Sequence, residues 1–209
     1  MMGLLRANYG DGFHRVGNGG AWRKFYKRPA GQRERITCLT GHMPWGVQVG
    51  TIPTPYQSAT MLRHPVDRVV SLYWFIRRFT RHKWHSFAKH KSLVAFATSG
   101  AMADIDNGMT RWLAGCRDCG ALRIEQQLSG DHLDQALIHL KAMAAVGFVA
   151  SFDASVQRFA DTFNWEHTAY RSKMTNRRYR AANDKERQAI AEYNHFDMAL
   201  YEHALRTVE

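Results

Sequence analysis

Arg63 and Ser71 are the residues whose type and spacing point most directly to chemistry in this sequence. Arg63 follows a short apolar segment, and Pro65 opens the amphipathic segment that comes next. Proline fits the first turn of a helix, because the N–H group that it lacks would have no partner there. The free N–H groups of that turn and the positive end of the helix dipole then face the arginine, which predicts an anion site.

Ser71 lies about two turns into the predicted helix, near the face of Asp67, so its hydroxyl could bind the same anion. A plainer alternative exists for both residues. Arg63 and Pro65 could form only a turn with a surface salt bridge, and Ser71 could bond to its own helical backbone. The residues alone leave both alternatives open.

Three further candidates belong to other segments. His42 follows a predicted strand, and histidine suits a general base near neutral pH; alternatively, it only caps the turn through Pro44 and Gly46. Trp45 could be a platform on which a sugar stacks, or a tryptophan of the core. Arg111 could bind an acceptor anion through a bidentate contact, or it could be a structural salt-bridge arginine.

Residues 62–73, Leu-Arg-His-Pro-Val-Asp-Arg-Val-Val-Ser-Leu-Tyr, resemble the 3′-phosphate-binding segment of sulfotransferases that use 3′-phosphoadenosine 5′-phosphosulfate. The likeness is to the carbohydrate branch, which includes heparan sulfate 2-O-sulfotransferase and bacterial relatives. In that family the arginine and the serine of this segment hold the 3′-phosphate, so the resemblance implies these roles for Arg63 and Ser71. His64 stands where the family often has aspartate.

Four other segments resemble the family in the same order along the chain: 40–46, 107–115, 146–153 and the last helix, with Asn194, Asp197, Leu200, Tyr201 and Glu202. The resemblance implies transfer of a sulfonate group from the nucleotide donor to a hydroxyl, which we expect on a carbohydrate. It also implies that His42 takes the proton of the acceptor and that the reaction requires no metal.

One part of the family pattern is missing from the sequence. The family holds the 5′-phosphosulfate with a Lys-Thr-Gly-Gly-Thr-Ser-like loop, and no such segment occurs here. Residues 4–10 resemble the helix that directly follows that loop. We expect either a chain shortened at its start or a relative that binds a nucleotide weakly and catalyses nothing, and we favour the shortened chain. Catalysis by the chain as written is therefore uncertain.

The elements that must position these residues alternate between strands and helices, which predicts an α/β fold with a parallel sheet flanked by helices. The resemblance implies a P-loop-like sulfotransferase architecture that lacks its first strand and its phosphate loop, and we expect one domain over residues 1–209. The predicted strands are 13–16, 36–39, 57–62 and 144–149. The predicted helices are 1–9, 21–28, 66–78, 84–98, 104–114, 131–143, 153–163 and a last helix capped by Asn183 or Asp184.

The charge of the chain favours polyanionic partners. Its 29 Lys and Arg residues exceed its 18 Asp and Glu residues, giving a net charge of +11. An excess of this size attracts phosphate-rich cofactors, acidic sugars and nucleic acids alike. The alternative function is therefore a non-catalytic basic module that binds nucleotide or nucleic acid through the Arg- and Tyr-rich segment 171–180. Against this alternative, the sequence has no helix-turn-helix, RNA-recognition or zinc-finger signature.

Hydropathy and cysteine content predict a soluble, cytoplasmic protein. No apolar run approaches the ~20 residues that span a bilayer, and an odd number of cysteines suggests a reducing compartment. Cys116 and Cys119 form a C-x-x-C pair that could be half of a zinc site or a redox pair. No second pair completes four ligands, so we favour a local coincidence or an incidental disulfide.

Overall fold

Four short strands form two parallel pairs in the computed structural model, which describes residues 1–16, 25, 27–46, 55–115, 126–171 and 180–208. Strand β1 (Phe13–Arg15) pairs with β2 (Cys38–Thr40), and β3 (Ala59–Leu62) pairs with β4 (Ala145–Phe148). The prediction of a mixed α/β chain with parallel strands is confirmed. Within the described residues the strands form two separate pairs instead of one continuous sheet.

Ten α-helices surround these strands in the described part of the chain. They are α1 (Met2–Tyr9), α2 (Ala30–Arg33), α3 (Pro65–Arg78), α4 (His85–His90), α5 (Leu93–Ala97), α6 (Gly108–Leu113), α7 (Gly130–Lys141), α8 (Phe152–Phe163), α9 (Asp184–Tyr193) and α10 (His195–Val208). Short 3₁₀ turns cover Gly10–Gly12 and Ala103–Ile105. The predicted helix at 21–28 falls largely outside the described residues.

Helix α3 forms where the sequence predicts it. Pro65 occupies the start of the helix, and Arg77 and Arg78 in its last turn complement the negative end of the helix dipole. Its apolar residues recur every three or four positions, which places them on one buried face. These buried residues are Val66, Val69, Tyr73 and Ile76.

Three predicted helices are interrupted, each at a polar residue. Segment 84–98 divides into α4 and α5, because the backbone is extended at Lys91 and Ser92 caps α5 by accepting a hydrogen bond from the Ala95 N–H at 3.2 Å. Segment 104–114 divides at Asn107, which adopts left-handed φ and ψ angles. The predicted last helix divides at Asn194 into α9 and α10.

The buried side chains form two main clusters. One lies between the β3–β4 pair and helices α6, α7 and α10, and includes Leu62, Met109, Leu140, Phe148 and Leu200. The other joins α3 to α5 and α9, and includes Val69, Ile76, Phe96, Ile105 and Ile190. None of the described helices is long and apolar enough to cross a membrane.

Gly147 provides a test of the packing between β4 and α8. A Cβ atom at this position would lie 2.8 Å from the Ser155 Cβ, 3.0 Å from the Phe159 ring and 3.1 Å from the Met61 sulfur. We predict that Gly147→Ala lowers the free energy of unfolding by about 1–3 kcal/mol, because overpacking forces buried neighbours to move. Urea denaturation followed by circular dichroism measures this change.

Gly3→Ala in α1 is the matched control, since no heavy atom lies within 4 Å of the added Cβ. Alanine favours helix more than glycine does, so this variant should be unchanged or more stable by up to about 1 kcal/mol. Equal stabilities for the two variants would contradict the packing described for Gly147.

Candidate functional site

The link between β3 and α3 presents Arg63 at the carboxyl end of a parallel strand. Arg63 and His64 connect Leu62 to Pro65, and His64 has the extended backbone that a residue before proline prefers. The Arg63 side chain is half-buried, and among the described residues it has no hydrogen bond or ion pair. Its guanidinium donors are therefore available to a ligand.

Ser71 lies on α3 in the turn that follows Asp67. It is half-buried, and within the described ranges its hydroxyl has no hydrogen-bond partner. Asp67 accepts a hydrogen bond from the Arg187 guanidinium at 2.9 Å, and both side chains are partly exposed. Because Arg187 offsets the carboxylate, the surface around Ser71 does not carry an unbalanced negative charge.

His42 lies two residues beyond the carboxyl end of β2 and is exposed. Gly41 precedes it at a close approach of two backbone segments, because a Cβ there would lie 2.6 Å from the Val16 carbonyl oxygen. This contact fixes the turn that presents His42. The histidine is thus accessible to an acceptor, as a general base must be.

Trp45 is held against helices α6 and α7. Its backbone N–H donates to the Trp112 carbonyl at 2.9 Å, and its indole stacks on the His139 ring with centroids 4.7 Å apart. The His139 Nδ1 lies 2.6 Å from the Leu113 carbonyl, so it must carry the hydrogen, while Nε2 faces the Gln135 amide. One face of the indole is covered, and only the other could receive a sugar.

Arg111 is buried, with 2% of its surface exposed. Its Nε donates to the Asp106 carbonyl at 2.8 Å, its Nη2 to the Asp106 carboxylate at 2.8 Å and its Nη1 to the Gln126 carbonyl at 2.9 Å. An acceptor anion would have to displace these internal partners. The geometry favours the structural alternative for Arg111.

The five candidates lie on three parts of the described structure. Arg63 and Ser71 belong to the β3–α3 unit, His42 and Trp45 belong to the turn that follows β2, and Arg111 belongs to α6, which contacts Trp45 through Trp112. His42 and Arg63 share one feature, since each follows the carboxyl end of a parallel strand, where ligands of α/β proteins bind.

A buried polar network, which the sequence analysis did not predict, joins α6 to α10. One Asp197 oxygen accepts from the Thr110 N–H at 2.8 Å and from its hydroxyl at 2.9 Å. The other accepts from the Met109 N–H at 3.0 Å and from Arg68 at 3.3 Å. Asp197 thereby satisfies N–H groups at the start of α6 that have no partner within their own helix.

Asn107, just before α6, makes the reciprocal contacts to the start of α10. Its side-chain oxygen accepts from the N–H groups of Phe196 at 3.0 Å and Asp197 at 3.2 Å, at the start of α10. Its own N–H donates to the Asn194 side chain at 2.9 Å. Each helix thus caps the other, and we call Asn107, Thr110, Asn194, Asp197 and Arg68 the polar clamp. The parallel spacing of Asn-x-x-Thr and Asn-x-x-Asp is the sequence signal that could have indicated it.

Arg68 connects the polar clamp to α3. Its guanidinium lies against Gly108, where an added Cβ would approach its nitrogens to 2.8 and 3.0 Å, so a larger residue there would force the guanidinium to move. Arg68 is one turn before Ser71 on the same helix. The ion pair with buried Asp197 therefore fixes the helix that carries Ser71 and begins beside Arg63.

A cleft of about 480 Å³ opens beside the polar clamp and includes none of His42, Trp45, Arg63 and Ser71. Burial, followed by the nearby Asp106 carboxylate, raises the pKa of Tyr193 at its edge. The cleft is distinct from the strand ends where the sequence predicts a ligand. Its lining includes Asp106, Asn107, Arg111, Tyr193, His195 and Phe196.

The described ranges contain no group of three or more His, Cys, Asp or Glu side chains placed to hold a metal ion. Cys116 and Cys119 lie outside the described residues. Cys38 in β2 is a free thiol, and burial raises its pKa to about 11.

Protein-family models, curated proteins and solved structures give no match to this chain.

Asp197 provides the test of the polar clamp. We predict that Asp197→Asn lowers the free energy of unfolding by about 3–5 kcal/mol, because the substitution leaves the buried end of Arg68 without its charge partner and points an amide at backbone N–H groups. The control is Asp134→Asn on the exposed face of α7, which should stay within about 0.5 kcal/mol of the parent. If urea denaturation shows that Asp197→Asn and Asp134→Asn lower the free energy of unfolding by the same small amount, the polar clamp does not have a central role in stability.

Cys38 provides a pH-dependent prediction. In a Cys116→Ser/Cys119→Ser background, alkylation at pH 8 should be about a hundredfold slower in the folded protein than in urea, because only the thiolate reacts and its pKa rises by about two units on folding. The rate in the folded protein should keep rising up to about pH 11. If Cys38 is alkylated at the same rate with and without urea, burial does not lower the reactivity of its thiol.

Proposed function

We propose that this chain is a sulfotransferase that moves a sulfonate group from 3′-phosphoadenosine 5′-phosphosulfate to a hydroxyl, with a carbohydrate as the acceptor class. The observation that carries the proposal is the β3–Arg63–Pro65–α3 unit, in which the arginine at the strand end has no partner among the described residues and a helix starts beside it. The order of the five resembling segments adds support. We further propose the cytoplasm as its location and a single sulfotransferase-like domain over residues 1–209.

Arg63 and Ser71 would hold the 3′-phosphate of the nucleotide. The planar guanidinium of arginine can donate two hydrogen bonds to one phosphate group. Among the described residues no side chain caps the start of α3, so its first N–H groups are available to the same anion. The Ser71 hydroxyl supplies a further donor from the next turns of the helix.

His42 would be the general base. It takes the proton of the acceptor hydroxyl while that oxygen attacks the sulfur, and the bond from sulfur to the 5′-phosphate oxygen of the nucleotide breaks. Trp45 would receive the sugar on the face that His139 leaves open. We propose no substrate contact for Arg111, and no residue is assigned to the 5′-phosphosulfate, because the sequence has no Lys-Thr-Gly-Gly-Thr-Ser-like segment.

The nucleotide site can be tested with adenosine 3′,5′-bisphosphate in a thermal-shift titration. We predict that the melting temperature of the parent protein rises with ligand concentration, since a ligand at about a hundredfold its Kd stabilises the folded state by about 2.7 kcal/mol. Arg63→Ala should abolish the shift. Arg81→Ala removes an exposed arginine from a different segment and should retain it.

Two results would contradict the nucleotide site. In the first, the bisphosphate does not raise the melting temperature of the parent protein, and the protein binds duplex DNA tightly even in moderate salt. This result would favour the nucleic-acid alternative. In the second, the bisphosphate raises the melting temperature of the parent protein and of Arg63→Ala by the same amount.

The role of His42 is tested separately from nucleotide binding. His42→Ala should keep the shift caused by the bisphosphate, because the histidine is not assigned to the 3′-phosphate. It should lower the transfer of labelled sulfonate from the donor to a polysaccharide acceptor by about a hundredfold or more, as expected for loss of a general base. Transfer at the rate of the parent protein would exclude His42 as the base.

A further inference from the structure

The carboxyl end of α3 and the turns after it expose two phenylalanines. Phe75 is 46% exposed and Phe79 is 47% exposed, although Tyr73 and Ile76 on the other face of the helix are buried. The two rings pack on each other with centroids 5.8 Å apart, and His82 lies 6.0 Å from the first and 6.3 Å from the second. The rings therefore form one continuous apolar cap.

The backbone holds this cap in place. The Phe79 N–H donates to the Phe75 carbonyl at 3.0 Å, the His82 N–H to the Phe79 carbonyl at 2.8 Å and the His85 N–H to the His82 carbonyl at 2.9 Å. These consecutive bonds fix the end of α3 and the connection to α4. The exposure of the phenylalanines is thus a property of ordered backbone, and the two adjacent rings together present more apolar surface to solvent than a single exposed residue does.

Basic side chains surround the cap. Residues 68–103 contain seven Lys or Arg residues and no Asp or Glu. Arg78, Arg81 and Lys83 are exposed beside the rings in sequence. Burial, followed by the positive charge of Lys83, lowers the pKa of His82, and the nearby Asp104 carboxylate opposes this shift only in part. The local charge is therefore positive. We call Phe75, Phe79, Arg78, Arg81 and Lys83 the aromatic–basic patch.

We propose that the aromatic–basic patch binds the surface of an anionic lipid bilayer. Phe75 and Phe79 enter the boundary between headgroups and acyl chains, and the three basic side chains face the lipid phosphates. Lipid fits better than single-stranded nucleic acid, because the two rings lie side by side as one joined apolar surface, with centroids 5.8 Å apart, whereas successive bases stack on separate aromatic faces. This inference does not depend on the proposed sulfotransferase function, since the patch shares no residue with that site.

Sedimentation with lipid vesicles tests the proposal. The parent protein should sediment with vesicles of phosphatidylcholine and phosphatidylglycerol, and not with vesicles of phosphatidylcholine alone. Phe75→Ser/Phe79→Ser should lower partitioning by about tenfold or more, because two apolar rings are lost from the boundary. The triple variant Arg78→Gln/Arg81→Gln/Lys83→Gln should lower partitioning onto the anionic vesicles by about a hundredfold, because each lost charge weakens binding by roughly fivefold.

Ile138→Ser is the matched control, since Ile138 on α7 is 61% exposed and lies outside the patch. It should partition like the parent protein, and circular dichroism should show that every variant is folded. Three results would overturn the proposal: no binding to the anionic vesicles, binding that the phenylalanine variant leaves unchanged, or binding only to single-stranded DNA. The charge variant keeps both rings, so its result stands even if the phenylalanine variant fails to fold.

Discussion

The buried carboxylate of Asp197 is the constraint on which the rest of the structure depends. It is fully buried, and its oxygens accept four hydrogen bonds, from two backbone N–H groups, a hydroxyl and a guanidinium. A buried charge is costly unless all its bonding positions are filled, so this arrangement tolerates little displacement of α6, α10 or α3. Asn107 makes the reciprocal contacts to the start of α10. Through Arg68, the same carboxylate also holds α3 in position.

Helix α3 joins the two surfaces for which a function is proposed. Its first turn adjoins Arg63, where the positive end of the dipole suits a phosphate, and its last turn carries Arg78 beside Phe75. Fourteen residues of helix separate these ends by about 20 Å. Arg68, near the first end, is fixed by Asp197. A protein bound to a membrane through the far end would keep the nucleotide site away from the lipid.

Local signals in the sequence predict the elements but not their interruptions. Pro65 and the spacing of the apolar residues are sufficient to predict α3, because both act within one helix. The breaks at Asn107 and Asn194 depend on bonds between residues 87 positions apart, and the matching Asn-x-x-Thr and Asn-x-x-Asp spacings do not show that the two segments meet. For the site, residue type and position indicated His42, which is exposed, and Arg63, which has no partner within the described ranges. The sequence could not show whether Arg111 binds a ligand or forms an internal salt bridge. The answer depends on the hydrogen bonds that its guanidinium donates to Asp106 and to the Gln126 carbonyl, which only the structure reveals.

The central claim is that Arg63 and Ser71 recognise a 3′-phosphate. Isothermal titration calorimetry with adenosine 3′,5′-bisphosphate and with adenosine 5′-monophosphate tests it directly, because the two ligands differ only in that group. The account predicts that the bisphosphate binds at least about tenfold more tightly, as expected for a charged hydrogen-bonded contact, and that Arg63→Ala removes the difference. Equal affinities of the parent protein for the two nucleotides would contradict it.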